Sequence, residues 1–260
     1  MALHPRKERD LFLEALRFAS RLPIPARDPG RPRPALNAAA RYFPLTGLLL
    51  GLIAAAIYEL GLFLFPPSLS LLLAMVAAIW LGRGLPEYGF ARTSEALARG
   101  RDRDQIVAVM QEPWLGINGA LALGLLLAVK FLALEGLDAG GLVAPALIVS
   151  HTWSRALAIS YLAEMHYLPG RHAPFEDATP APTRMSSYGH RFALLTALPV
   201  AVLLPWMQVL AVVVALLLLR AWFAYLMRKR LGGYTGVSLG AAQQVAEVVI
   251  YLVILALTVT

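Results

Sequence analysis

The chain has 260 residues, of which 58% are hydrophobic and 15% are charged. A soluble domain carries about 25% charged residues, so this composition indicates an integral membrane protein. The net charge of +7 is typical of the cytoplasmic loops of such a protein and does not indicate a nucleic-acid site, while the lack of cysteine excludes disulfides and thiolate chemistry.

The N-terminal segment, residues 1–41, is polar and basic. Residues 10–19 have apolar side chains at helical spacing and predict a short amphipathic helix. Two placements of this helix fit the pattern about equally well: at the membrane surface, or packed on the helix bundle.

Residues 42–260 form the predicted membrane domain, an all-α bundle of about seven transmembrane helices. Lys130 stands near the far end of the third predicted span, where we expect its side chain to extend to the membrane surface. The predicted spans are 42–65, 68–81, 115–134, 142–163, 192–204, 206–227 and 243–259.

The distribution of lysine and arginine supports this topology. These residues cluster at 1–41, 83–103, 171–191 and 228–230, which all fall on one side if seven spans alternate. The turns on the opposite side contain none. The positive-inside rule then places the N-terminus and the polar loop 82–114 in the cytoplasm, and the C-terminus outside.

The polar loop 82–114 holds the densest mixture of charges in the middle of the chain. Glu87, Glu95 and Glu112 are candidate catalytic and metal-binding residues, because Mg²⁺ prefers carboxylate oxygens and bridges them to substrate phosphates. Ordinary solvated loop charge is the alternative interpretation of the same residues.

Polar and ionisable residues also occur inside the fourth predicted span, where Ser154 and Arg155 follow His151 and are candidate substrate-binding residues. Because charge in lipid is costly, an arginine there needs a partner or a ligand. Arg155 can hold a phosphate through two hydrogen bonds, or it can form a structural pair with Glu59 or Glu247. His151 by itself predicts a satisfied buried histidine rather than a ligand.

A glycine-rich segment, LGGYTGVSLGAA at 231–242, precedes the last predicted span. Gly232, Gly233, Thr235 and Gly236 are candidate substrate-binding residues, because glycines let the backbone approach a phosphate and present N–H donors. The simpler alternative is a flexible turn that leads into the last helix.

Several segments match the sequence motifs of one known family. LRFASRLPIP at 16–25 is similar to that family's FLTRLPVP, and LGGYTGVSLGAAQQVAE at 231–247 to its LGGxTGDxLGAxxxxxE. MQEPWLGINGALAL at 110–123 is similar to MRDSRLGTHGALAL, and YFPLTGLLLG at 42–51 to the family's first membrane segment. Ser154 and Arg155 match a Ser-Arg pair in the fourth span. Together these segments resemble the cobalamin synthase family, whose enzymes are adenosylcobinamide-GDP ribazoletransferases.

The resemblance implies an enzyme of the bacterial inner membrane that joins adenosylcobinamide-GDP to alpha-ribazole, or its phosphate, and releases GMP late in cobalamin biosynthesis. It implies Mg²⁺ as a cofactor, held by carboxylates at Glu87, Glu95 and Glu112, with one of them acting as the base. It also implies corrinoid and ribazole substrates in a lipid bilayer, with further copies of the chain or other corrinoid-pathway membrane proteins as partners.

The family's acidic motif is changed in this chain. GGxHxDGLADTxDG corresponds to RGLPEYGFARTSEA, in which the apolar frame is kept. Arg92 matters most, because a positive charge among metal ligands opposes Mg²⁺ binding or takes its place beside a glutamate. The polar positions that differ from the family here and further along the chain are Pro86, Tyr88, Arg92, Glu95, Glu112, Trp114 and Val237.

Three hypotheses follow from the sequence. The first is an active ribazoletransferase with a rearranged acidic site. The second is an inactive paralogue that binds corrinoid or scaffolds a partner. The third, more distant, is a small-molecule transporter whose path His151 and Arg155 would line, although no inverted repeat supports it.

Overall fold

The computed structural model describes residues 5–25, 36–112, 114–168 and 184–259. These residues are mainly helical, and the single extended pairing among them joins Tyr167 to Tyr234. The predicted all-α bundle is therefore confirmed. The helices are α1 Pro5–Ala19, α2 Leu36–Ala39, α3 Phe43–Gly61, α4 Pro67–Leu81, α5 Leu85–Arg99, α6 Arg103–Met110, α7 Ile117–Glu135, α8 Val143–Ser160, α9 Ser187–Ala197, α10 Trp206–Arg230 and α11 Gly236–Val259.

Four helical segments in the described residues are long and apolar enough to cross a membrane: Leu36–Gly61, Ile117–Gly140, Trp206–Arg230 and Gly236–Thr258. The pair α4 and α5 also qualifies as one span, but it is bent by 86° at the turn between them. The chain is thus a multi-pass membrane protein. Every predicted span overlaps a helix, and the total of seven crossings stays a prediction.

Proline and glycine set the ends of α4 and α5. Pro67 and Pro86 occupy the first turns of these helices, where a missing N–H leaves no bond unmade. The turn between them passes through two residues with positive φ, Arg83 and Gly84, both at 64°. Only glycine adopts this region without steric cost, so the turn carries backbone strain at Arg83.

The predicted polar loop 82–114 contains two helices, α5 and α6, together with short connections. A hydrophilic sequence forms these helices because one face of α5 packs against α7 and α11. Ala91 and Ala96 lie on that buried face together with Arg92 and Glu95. The polar residues of α5 are therefore partly inside the bundle rather than in a solvated loop.

Helices α3 and α8 contact each other along their backbones. A Cβ atom at Gly47 would lie 2.0 Å from the carbonyl oxygen of His151, and one at Gly51 would lie 2.8 Å from Cα of Ile148. Small residues four positions apart permit this close approach in membrane helices. The contact fixes the position of α8, which carries His151 and Arg155.

Helix α1 packs on the bundle, which is one of its two predicted placements, and a position at the membrane surface stays a prediction. Leu11 and Ala15 are buried, and the ring of Phe12 meets that of Tyr42 edge to face. The helix begins at Pro5, five residues before the predicted start.

Candidate functional site

Helices α7, α8 and α11 bring charged side chains together inside the bundle. Lys130 of α7 donates to Oε2 of Glu247 at 2.7 Å and to Oε1 of Gln244 at 3.0 Å. From α8, the Ser154 hydroxyl donates to Oε1 of Glu247 at 3.3 Å, and Nδ1 of His151 lies 3.5 Å from that oxygen. Glu247 is therefore the shared acceptor of this buried cluster, and His151 is satisfied there, as predicted.

The prediction that Lys130 extends to the membrane surface is wrong. Its side chain is buried and faces α11. The sequence does not predict Lys130 and Gln244 as members of a site, because their hydrogen bond joins residues 114 positions apart. One available signal was the spacing of Gln243, Gln244 and Glu247, which puts polar groups within one turn of an otherwise apolar helix.

Arg155 lies in α8, one turn after His151, and is 5% exposed. Its Nη1 atom donates to the carbonyl oxygen of His151 at 2.8 Å. Within the described residues, Nε and Nη2 have no hydrogen-bond partner, and the guanidinium forms no ion pair within 4.0 Å with Glu59 or Glu247. A buried guanidinium with unused N–H donors is well suited to bind an anion.

Glu87 of α5 reaches the same cluster. Its Oε1 atom accepts a hydrogen bond from Nε2 of Gln244 at 2.9 Å. Its Oε2 atom is buried and has no partner in the described part of the chain. The charges of Glu87 and Glu247 balance those of Lys130 and Arg155, which permits their burial in a membrane protein. The free carboxylate oxygen can accept a proton from a bound hydroxyl group.

Glu95 and Glu112 lie in a different environment. Oε2 of Glu95 accepts from the backbone N–H of Gly119 at 2.7 Å, at the start of α7. Arg99 donates to Glu112 at 2.7 Å, and its Nε lies 3.8 Å from Glu95. Glu95 follows Glu87 by eight residues, which separates them by about 12 Å along the helix axis.

Arg92 occupies the part of α5 between Glu87 and Glu95. It is 1% exposed and donates hydrogen bonds to the carbonyl oxygens of Val109 and Trp114. Among the described residues, no carboxylate lies within 4.0 Å of its guanidinium. Arg92 therefore holds the last turn of α6 and the backbone at Trp114 against α5, and it does not pair with a predicted metal ligand.

The predicted magnesium ligands do not fit a single ion. Mg²⁺ requires near-octahedral oxygen ligands around one point, whereas Glu87 is turned toward Gln244 and Glu95 toward the start of α7. In residues 5–25, 36–112, 114–168 and 184–259, no three His, Asp or Glu side chains form a group that could hold a metal. The magnesium requirement stays a prediction, and no step proposed below passes through a metal.

The glycine-rich segment forms a tight turn between α10 and α11. Gly232 has a φ of 78°, which favours glycine. A Cβ atom at Gly233 would lie 2.5 Å from the carbonyl oxygen of His166, so only glycine fits there. Tyr234 is buried beside this turn, and burial raises its pKa to about 12.

Thr235 and Gly236 complete the turn. Oγ1 of Thr235 accepts from the backbone N–H of Ser238 at 3.0 Å, which caps the start of α11. The space around Cα of Gly236 is open. These contacts give the segment a structural role, and substrate binding by Gly232, Gly233, Thr235 and Gly236 stays a prediction.

The fold and the buried cluster define a multi-pass helical membrane protein with a charge-balanced centre that can receive an anionic group. The family model described as Cobalamin-5-phosphate synthase matches residues 11–255. Proteins named Adenosylcobinamide-GDP ribazoletransferase from Shewanella amazonensis, Shewanella piezotolerans and Vibrio cholerae are similar to this chain at 37%, 36% and 34% identity, over 96–98% of each chain. The chain belongs to the cobalamin-5-phosphate synthase family, which confirms the resemblance seen in the sequence. No solved structure matches it.

Proposed function

We propose that this chain is an adenosylcobinamide-GDP ribazoletransferase of the bacterial inner membrane that acts late in cobalamin biosynthesis. Similarity over nearly the whole chain to proteins of that name supports the assignment. The structural observation that carries it is the buried Arg155 guanidinium, whose Nε and Nη2 donors have no partner among the described residues. A diphosphate substrate would supply the anion that these donors lack.

In the proposed reaction, a hydroxyl oxygen of alpha-ribazole forms a bond to the phosphorus atom that stays with the corrinoid. The anhydride bond to GMP breaks, and GMP leaves with the bridging oxygen. Arg155 holds the phosphoryl oxygens and neutralises their charge, and Oε2 of Glu87 accepts the hydroxyl proton. Positioning and charge neutralisation supply most of the rate in phosphoryl transfer.

The remaining residues of the cluster orient these two groups. Gln244 donates to Oε1 of Glu87, which leaves Oε2 as the carboxylate oxygen without a partner in the described part of the chain. Nδ1 of His151 lies 3.3 Å from Nη1 of Arg155, and the carbonyl oxygen of His151 accepts from the same nitrogen, so the turn of α8 sets the direction of the guanidinium. Ser154 contributes a hydrogen bond to Glu247, and its contact with substrate stays a prediction.

The test is GMP release from adenosylcobinamide-GDP and alpha-ribazole by membranes that contain this protein. We expect release only with both substrates, and a loss of about 100-fold or more in Arg155→Gln and in Glu87→Gln. Arg99→Gln is the matched control, because its guanidinium pairs with Glu112 outside the cluster and should keep near-normal activity. The same assay with added Mg²⁺ or chelator tests the magnesium prediction.

Two outcomes would replace the proposed function with another. No GMP release from folded protein, while the Shewanella amazonensis relative is active in the same membranes, would favour the inactive paralogue. Substrate-dependent flux into liposomes without GMP release would favour the transporter.

A further inference from the structure

Lys130 is buried within the bundle, yet it has no role in the proposed reaction. Its ammonium contacts Glu247 and Gln244 of α11. We propose that Lys130 is a positioning residue that neutralises Glu247, so that Arg155 stays available to bind a phosphate anion without a divalent cation. This inference rests on the proposed function and identifies the charge by which the same site holds its substrate.

The geometry places Glu247 between the two cations. Its Oε2 atom is 2.7 Å from the Lys130 ammonium, while its Oε1 atom faces α8 and lies 3.5 Å from Nδ1 of His151. The same Nδ1 atom is 3.3 Å from Nη1 of Arg155. Glu247 and Arg155 thus lie near the same ring nitrogen of His151, and they attract each other strongly in a low-dielectric interior.

Lys130 keeps Glu247 from occupying Arg155 in place of a phosphate. With Lys130 present, the Glu247 carboxylate has a partner on α7 and the Arg155 guanidinium keeps its unused donors. Without Lys130, the full negative charge of Glu247 would face Arg155 and compete with any phosphate for it. A carboxylate already held by lysine repels an incoming phosphate less than a free one.

Lys130 and Arg155 also supply the positive charge that a carboxylate-bound magnesium ion would otherwise supply. The predicted metal ligands are separated, and Arg92 lies between two of them in a structural role. Once Glu87 has accepted the hydroxyl proton, Lys130 and Arg155 leave the cluster with one net positive charge against Glu247. This positive charge lies where negative charge develops on the phosphoryl group.

The test is equilibrium binding of GDP to the purified full-length protein in lipid nanodiscs, with chelator in excess. Wild type should bind GDP under these conditions, and Lys130→Met should bind it at least about tenfold more weakly, because the uncompensated Glu247 captures Arg155. Glu247→Gln should bind at least as tightly as wild type, since Arg155 then has no competitor. The double variant Lys130→Met/Glu247→Gln should recover binding to within about threefold of wild type.

A different pattern of GDP binding is expected if Lys130 and Glu247 form only a structural ion pair. In that case both single variants would lose GDP affinity in proportion to their loss of thermal stability, measured on the same samples. Weaker binding by Glu247→Gln would therefore overturn the inference, as would wild-type binding that disappears with chelator. If Lys130→Met does not fold, GDP binding by Glu247→Gln and by Lys130→Arg, which keeps the positive charge, tests the inference. GMP release is measured separately, so a failed transfer assay and a failed binding pattern are distinguishable.

Discussion

Replacing Arg92 with methionine should release the last turn of α6 and the backbone at Trp114 from α5. Arg92 is 1% exposed and bonds to the backbone oxygens of Val109 and Trp114. A hydrogen bond from a charged donor contributes about 1.5–3 kcal/mol, so the pair contributes about 3–6 kcal/mol. Removing a buried charge that has no carboxylate partner offsets part of this loss. We expect a net loss of about 2–4 kcal/mol in the free energy of unfolding.

The assay is unfolding of the purified protein by SDS titration in mixed micelles, followed by tryptophan fluorescence. Arg99→Met is the matched control on the same helix, because its side chain is 43% exposed and pairs with Glu112 near the surface. A surface pair of this kind contributes about 0.2–1 kcal/mol. Equal losses in the two variants would refute the structural role of Arg92.

A second arm examines the acidic motif directly. Arg92→Asp restores the residue type of the family pattern but places a carboxylate against two carbonyl oxygens. It should be less stable than Arg92→Met, and Mg²⁺ should not raise its unfolding midpoint. A Mg²⁺-dependent rise would show that the glutamates can converge on a metal, contrary to the reasoning from their separation.

Three further changes have defined outcomes. Gly47→Ala should cost about 1–3 kcal/mol, because its Cβ would lie 2.0 Å from the carbonyl oxygen of His151, whereas Gly124→Ala, with nothing within 4 Å, should be neutral or slightly stabilising in the same titration. Arg41→Ala should loosen α1 from the bundle, since it removes a partly buried ion pair with Glu8 and contacts with aromatic rings. Limited proteolysis should then cleave the N-terminus faster while the remaining helices stay protected. The pKa of Tyr234 is raised from 10.0 to about 12. The neutral hydroxyl group therefore makes its full contribution to the free energy of unfolding below pH 10, and this contribution is lost between pH 10 and 12. Tyr234→Phe should remove that part of the alkaline decline in the unfolding midpoint.

The long helices were predictable from hydropathy alone. A backbone in lipid must satisfy its own hydrogen bonds, so an apolar run of sufficient length becomes a helix. The run 206–227 corresponds to α10 and the run 115–134 to α7. The start of α11 was predicted seven residues late, at 243 instead of Gly236. Residues 236–242 belong to the glycine-rich segment that was expected to lead into this helix as a turn, although they form its first turns.

The helices within 82–114 were not predictable, because their polar side chains have partners distant in the sequence. Glu95 bonds to the backbone of Gly119, and Arg92 bonds to that of Trp114. Neither spacing corresponds to a local motif. The sequence shows Arg155 as an arginine within an apolar run. Only the structure shows that its Nε and Nη2 donors have no partner among the described residues.

The ion pair between Lys130 and Glu247 also constrains how the chain enters the membrane during synthesis. Lysine at the centre of an inserting helix costs about 2.5–3.5 kcal/mol, and its counter-charge is translated 117 residues later. Until α11 arrives, the Lys130 ammonium on α7 lacks the carboxylate with which it forms its ion pair. A polypeptide that stops before Glu247 would therefore stay incompletely assembled and exposed to membrane proteases, which makes the last helix the step that commits the protein to its final form.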